Sequence, residues 1–102
     1  MIILYLTCAN DIEAAKITDA LLQARLVTCV RRMNVSSTYW WNDTINKDEE
    51  VLLMMEGVQE KFDGIEAVVA GLHSYEEFVL TAVDVLRTTP GTEKWLNDAL
   101  EQ

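Results

Sequence analysis

The segment 28–57 constrains the fold most, because its pattern predicts two long antiparallel strands joined by a short loop. In the first strand, apolar residues recur at odd positions, which is typical of a strand with one buried face. These residues are Cys29, Met33, Val35, Tyr39 and Trp41. Asn42 and Asp43 suit the loop, because both residue types tolerate turn geometry. The second strand contains an unbroken apolar run, 51–55, which indicates that both of its faces are covered.

A hairpin of this length must overhang the core of a small domain, since strands average about five or six residues. Its far end carries Tyr39, Trp40 and Trp41. A group of exposed aromatic side chains marks an interaction surface. We therefore expect these three residues to take part in association. The alternative is that they pack against helices of their own subunit.

Length and charge limit the classes of protein to be considered. A chain of 102 residues predicts a single domain, 1–102, with a core that needs no metal or disulfide. The formal net charge is −9, which argues against nucleic acid, whose phosphates require Lys and Arg. The charge is compatible with bound cations, or simply with solubility. Without a membrane-length apolar run or a signal-peptide pattern, we expect a cytoplasmic protein with no membrane contact and reduced cysteines.

The remaining sequence completes a recognisable order of elements. Around the hairpin, the patterns predict a strand at 2–8, helices at 11–25 and 59–70, a strand at 78–85 and a last helix starting at Thr89-Pro90. The first six elements of this βαββαβα order match the ferredoxin-like α+β arrangement, an antiparallel sheet with two helices on one face. Three of the four strands are nevertheless apolar on both sides. We therefore expect another subunit to cover the second face.

Two residue types offer metal ligands. His73 is the single histidine, and Glu76 follows it at a His-x-x-Glu spacing that could supply two ligands to a divalent ion. Further ligands would have to come from elsewhere or from a neighbouring subunit. The alternative is a loop histidine hydrogen-bonded to backbone. Cys29 and Cys8 are expected to act mainly as small core residues, with metal binding for Cys29 and thiol reactivity for Cys8 as the alternatives.

The acidic run 48–50 completes the candidate polar residues. Asp48 and Glu50 share one strand face, and we expect a salt bridge from this pair to Arg31 or Arg32 across the hairpin. The alternative is that the two carboxylates bind a hard cation. Arg31 interrupts an apolar row and needs an acidic partner if it is buried. No nucleophile-elbow, phosphate-loop, dinucleotide or CxxC motif is present in the sequence. The residues therefore give no basis for assigning catalysis.

Several motifs stand in register along nearly the whole chain: Cys29-Val30, Tyr39-x-Trp41, Glu50-Val51, Leu72-His73-x-Tyr75 and Trp95. In their joint spacing they resemble the CutA family of divalent-cation-tolerance proteins. The resemblance implies a ferredoxin-like protomer in a tight homotrimer whose long hairpins interlock across subunits. It also implies a cytoplasmic protein without an established enzymatic activity, associated with copper (Cu2+) and other divalent metals.

Together with this resemblance, the residues predict three sites. The metal ligands are expected to be His73, Cys29 and Glu76. The ligand-binding cleft between subunits is expected to include Tyr39, Trp41, Glu56 and Tyr75. The trimer interface is expected to include Tyr39, Trp40, Trp41, Val51 and Leu53.

The chain also departs from the pattern of the family. Ser74 and Phe78 replace two prolines, and Val79 replaces a glutamate of the cleft. Glu56-Gly57 stands where the family has Lys-Thr, Asp43 where it has glycine and Asp84 where it has proline. Losing a cation and gaining an anion at position 56 is expected to change the ligand of the cleft.

Three functional hypotheses follow from these patterns. The first is a non-catalytic trimer that binds a divalent cation or small ligand between subunits. The second is a regulatory trimer similar to the PII proteins, although the sequence lacks a basic, glycine-rich phosphate loop. The third is a structural trimer that has lost its site, which the missing cleft residues favour.

Overall fold

The computed structural model describes residues 1–101 and confirms the expected order of elements. These are β1 (Ile2–Cys8), α1 (Asp11–Gln23), β2 (Cys29–Trp41), β3 (Thr44–Gly57), α2 (Phe62–Leu72), β4 (Leu80–Asp84) and α3 (Thr92–Leu100). All strand pairs are antiparallel, and the sheet has the order β2-β3-β1-β4. The α+β, ferredoxin-like arrangement with a C-terminal helix is therefore confirmed.

The helix boundaries follow from local hydrogen bonding. The Asn10 side chain accepts the backbone N–H of Glu13 at 2.9 Å, which is the N-cap that the sequence predicts for α1. A 3-10 turn, Gln59–Lys61, occupies the predicted first turn of α2. The last helix does not begin at Thr89-Pro90 as expected. It begins after Gly91, whose φ of 91° lies in the left-handed region that favours glycine.

The long hairpin forms as predicted, with β2 and β3 paired from Cys29–Glu56 to Trp41–Thr44. Asn42 and Asp43 make the two-residue turn with φ of 51° and 61°, and positive φ at both central residues matches the twist of paired strands. Within β3, only residues 51–57 pair with β1. The other half of the hairpin has no third strand, so it overhangs the core.

The core lies on one face of the sheet, between the strands and helices α1 and α2. Its fully buried side chains include Leu4, Leu6, Leu53, Met55, Ile17, Leu21, Ile65 and Val69. The opposite face, here called the open face, carries a second apolar row. That row consists of Ile3, Tyr5, Met33, Leu52, Met54 and Val83, all of them half-buried or exposed. Tyr5 is 36% and Val83 48% exposed, so the helices of this chain leave part of the second face uncovered.

The faces on which the strand side chains lie differ from two expectations of the sequence analysis. The odd-numbered residues of β2, including Cys29, lie on the open face and not on the core side. The reason is that Val30 packs against the core cluster, and adjacent residues of a strand point to opposite sides. Val51 and Leu53 are not trimer-interface residues, because they are only 4% and 0% exposed in the core of their own subunit. Their strand neighbour Leu52 occupies the open face instead.

Candidate functional site

A groove of about 600 Å³ forms where the overhanging part of the hairpin meets the segment that follows α2. It brings together Tyr39, Trp41 and Tyr75 of the predicted cleft with Glu76 of the predicted metal site. Glu50, expected in a salt bridge with cation binding as the alternative, also lines this groove. The groove opens beside the uncovered sheet face, which is the position expected of a cleft between subunits.

Two hydrogen bonds from tyrosine hydroxyls to carboxylates hold side chains at the groove in place. The Tyr75 hydroxyl donates to Glu50 Oε2 at 2.5 Å, and the Tyr39 hydroxyl donates to Asp48. Burial, followed by this hydrogen bond and the negative charge of Glu50, raises the pKa of Tyr75. The hydrogen bond to Asp48 likewise raises the pKa of Tyr39. Both hydroxyls therefore stay protonated at neutral pH and hold their rings in place.

The groove is negatively charged. Glu76 and Glu77 lie exposed at its mouth, and neither makes a hydrogen bond or ion pair within residues 1–101. Glu50 is 8% exposed and adds a third carboxylate deeper in the groove. Among the described residues that line the groove, none is Lys, Arg or His. Such a lining attracts cations and repels phosphates.

Glu56, predicted as a cleft residue, lies outside the groove. Its carboxylate accepts a hydrogen bond from Arg31 Nη1 at 2.5 Å, and Glu56 is 9% exposed. This hydrogen bond raises the pKa of Arg31. From the sequence, Asp48 or Glu50 was expected to pair with an arginine across the hairpin. That prediction is wrong, because the partner of Arg31 is Glu56. Arg32 donates to the Asp11 backbone carbonyl instead.

A separate cluster brings Cys8, Glu13 and His73 together, with their ligand-type atoms within 4.8 Å of one another. The His73 side chain is fully buried. Its Nε2 lies 2.8 Å from the Thr7 carbonyl oxygen, which can only accept, while Nδ1 accepts the Tyr75 backbone N–H at 3.0 Å. A neutral ring with its proton on Nε2 meets both contacts. No nitrogen lone pair is left for a metal ion.

The other two members of this cluster also have their own contacts within the fold. The Glu13 carboxylate accepts the backbone N–H of Ala9 at 2.8 Å on one oxygen and that of Ser74 at 2.5 Å on the other. Burial, followed by the charges of Glu13 and Glu50, raises the pKa of Cys8 to about 12. Without an ion the thiol is therefore protonated at neutral pH, and it packs in the core at 0% exposure. This donor set does not fit a metal ion; it is a hydrogen-bonded connection between β1, α1 and the segment after α2.

The structure does not bring the three predicted metal ligands together. His73 is buried in the hydrogen-bonded cluster, Glu76 lies at the groove mouth, and Cys29 lies on the open face opposite Glu56. Within the described part of the chain, Cys8, Glu13 and His73 form the one group of three or more His, Cys, Asp or Glu side chains close enough to share an ion.

Replacing Glu13 by Gln is expected to destabilise the protein by about 1–3 kcal/mol at pH 7. The two carboxylate oxygens accept the backbone N–H groups of Ala9 and Ser74, and the Gln amide has only one oxygen to accept them. Burial alone would raise the pKa of Glu13, but hydrogen bonds from Ser74 and Ala9 and the nearby His73 lower it overall. The carboxylate therefore stabilises the fold at neutral pH, and this contribution is lost as the pH falls below about 4.5.

Urea unfolding at several pH values measures this effect. The free energy of unfolding of the Gln variant is expected to approach that of the wild type in acid. Glu66→Gln, an exposed change with the same loss of charge, is the control and should stay within about 0.5 kcal/mol of wild type. Equal stability of the Glu13 and Glu66 variants at pH 7 would contradict the proposed role of Glu13.

The comparisons with known proteins agree on one family. A family model described as CutA1 divalent ion tolerance protein matches residues 2–99. The Protein CutA homolog of Xenopus laevis is 29% identical, and the match covers 96% of this chain and 66% of the Xenopus protein. The divalent-cation tolerance protein CutA of Thermotoga maritima is 28% identical, with 98% of this chain and 99% of that protein covered.

The solved structures give the same result. The structure of the periplasmic divalent cation tolerance protein CutA from Archaeoglobus fulgidus superposes with a TM-score of 0.95 at 26% identity. The match covers 99% of this chain and 100% of that chain. In residues 1–101, no helix has the length and apolar character needed to cross a membrane.

Proposed function

The chain belongs to the CutA1 divalent ion tolerance family, and on this premise we propose that it is a homotrimeric, non-enzymatic protein that binds cations in the groove of each subunit. One observation carries the proposal: the groove is lined by three carboxylates and by no cationic side chain of the described residues. A divalent ion is the ligand class that the family's description suggests. The same lining gives no support to a PII-like role in nucleotide binding.

The uncovered apolar surface supports the trimer. The open face carries a row of half-buried and exposed apolar side chains, and the overhanging hairpin adds Trp40 and Trp41, which are 71% and 49% exposed. The outer edge of β2 is also unpaired. A sheet of this kind is stabilised when copies of the same chain cover its face and pair with its edge. In this arrangement the groove of each subunit lies at a subunit boundary.

The groove mouth is the proposed place of the divalent ion. Glu76 and Glu77 are exposed and unpaired within the described residues, and carboxylates suit hydrated divalent ions such as Mg2+ or Mn2+. Cu2+, the metal expected from the resemblance, favours imidazole, but both nitrogens of His73 are engaged. We therefore assign divalent ions, copper included, to the groove carboxylates and not to His73.

Mn2+ tests this assignment, because its unpaired electrons broaden the NMR signals of nearby amides. Signals of residues 75–79 and of Glu50 are expected to broaden first. The double variant Glu76→Gln/Glu77→Gln should bind Mn2+ about tenfold more weakly. The control Glu60→Gln/Glu66→Gln carries the same charge change on the other side of the fold and should stay within about twofold. An equal loss of Mn2+ affinity in both double variants would contradict a specific site at Glu76 and Glu77. It would indicate that Mn2+ is attracted only by the overall negative charge of the surface.

A cytoplasmic location is also proposed, although the Archaeoglobus relative is described as periplasmic. Its support is that Cys8 and Cys29 are both free thiols on opposite sides of the sheet. Cell fractionation with an antibody against the chain tests it. Recovery with periplasmic or secreted proteins would contradict the proposal.

A further inference from the structure

We propose that the inner part of the groove binds a small organic ammonium ion, held by aromatic faces and carboxylates, beside the hydrated divalent ion proposed at its mouth. The inference rests on the cation-binding role proposed above and names the ligand class of the same site. It concerns the inner part of the groove, between Tyr39, Trp41, Tyr75 and Glu50.

Aromatic side chains are concentrated in the groove. Of the chain's three Trp, three Tyr and two Phe residues, four line it: Tyr39, Trp40, Trp41 and Tyr75. The face of an aromatic ring attracts a cation within about 6 Å of its centroid, and Trp is the strongest partner. Alkylated ammonium groups suit such walls because their methyl groups also bury apolar surface. At the proposed subunit boundary these rings therefore supply a reason for binding that a metal ion would not use.

The carboxylates are arranged for a large cation. A divalent metal that has lost its water shell requires several protein oxygen ligands converging at about 2.0–2.6 Å. Glu50, Glu76 and Glu77 do not form a group whose ligand atoms all lie within 4.8 Å of one another. One oxygen of Glu50 accepts the Tyr75 hydroxyl, and its other oxygen carries charge at a site that is 8% exposed. Separated charges around a groove of about 600 Å³ match an ion whose own charge is spread over several methyl groups.

The test compares tetramethylammonium chloride with tert-butanol, an uncharged molecule of similar size, at constant ionic strength. In proton–nitrogen NMR spectra, the indole signals of Trp40 and Trp41 are expected to shift saturably with tetramethylammonium. Tert-butanol should bind at least about fivefold more weakly, since it lacks the charge. Equal binding of the two probes, or no saturable shift with either, would overturn the proposal.

Two variants test whether the Glu50 carboxylate supplies the charge that binds tetramethylammonium. Glu50→Gln keeps an acceptor for the Tyr75 hydroxyl and should weaken tetramethylammonium binding about fivefold. Glu49→Gln removes the same charge one residue away, on the other side of the pleat, and should change binding less than about twofold. Unchanged spectra outside the groove show that both variants fold. An equal loss in both variants would overturn the assignment of Glu50.

Mn2+ titrations of the same samples separate this inference from the proposed function. Binding of Mn2+ without tetramethylammonium overturns the ligand class and leaves the divalent-ion proposal intact. Binding of tetramethylammonium without Mn2+ supports the inference and overturns the divalent-ion proposal. Failure of both probes overturns both. Mutual displacement of the two probes would contradict separate places for the two ions and support a single cation groove that accepts either.

Discussion

Replacing Trp41 by Ala is expected to weaken the proposed trimer strongly while leaving the secondary structure of the protomer intact. Trp41 lies at the end of the overhanging hairpin, opposite Thr44, and is 49% exposed in the single subunit. It makes no contribution to the buried core of its own chain. Trp41 lines the groove and is proposed to contact a neighbouring subunit there. Large aromatic residues at an interface commonly contribute about 2 kcal/mol or more to binding, so the dissociation constant should rise by a factor on the order of 30 or more.

Light scattering over a dilution series, with circular dichroism on the same samples, measures this effect. Ile12→Ala is the matched control, because Ile12 is an exposed apolar side chain on α1, away from the open face. The control is expected to assemble like the wild type. A Trp41→Ala protein that stays trimeric at the lowest concentration with unchanged melting would show that the hairpins do not interlock.

Replacing His73 by Ala is expected to destabilise the protein by about 2–4 kcal/mol, because it removes a fully buried ring and leaves two backbone groups unpaired. The ring stacks on Phe78 at 5.4 Å between centroids, accepts from Tyr75 N–H and donates to the Thr7 carbonyl. Urea unfolding measures the change. Glu76→Ala, an exposed change three residues on, is the control and should stay within about 0.5 kcal/mol of the wild type.

The same His73 variant separates a structural histidine from a metal ligand. Because both ring nitrogens are engaged, its affinity for Cu2+ is expected to match that of the wild type under conditions where both proteins are folded. Isothermal titration calorimetry measures this affinity. A loss of about tenfold or more, typical of removing a metal ligand or its support, would contradict the hydrogen-bonded role of His73.

The fold could be predicted largely from local patterns. The turn residues Asn42 and Asp43 and the long alternation of β2 define the hairpin, and Asn10 marks the start of α1. The direction of the alternation could not be predicted, because a period of two separates the faces of a strand without saying which one meets the core. In β3 the apolar run is unbroken, so the pattern did not distinguish buried Leu53 from its neighbour Leu52 on the open face.

The candidate site was predictable only in part. Tyr39, Trp41, Tyr75 and Glu76 were placed in functional sites from the sequence, and the groove does bring these four together. Glu50 was missed as a groove residue because its partner lies 25 residues away, on a segment positioned by the tertiary fold.

Two further site residues have contacts that the sequence pattern did not specify. His73 was assigned as a metal ligand, with a loop histidine hydrogen-bonded to backbone as the alternative. The structure has the alternative, and the hydrogen bond to Thr7 spans 66 positions of the chain. Glu56 was expected in the cleft, but it pairs with Arg31 across the hairpin. A residue type indicates what a side chain can bind, whereas the folded chain decides what is within reach.

Native mass spectrometry of protein purified without added metal or affinity tag tests the central claim most directly, because it weighs the assembly and any bound ligand together. The account predicts a species of three times the 11.6 kDa subunit mass, which takes up a cation when one is supplied. A species of 11.6 kDa at micromolar concentration, with no cation bound, would contradict both the trimer and the cation-binding groove.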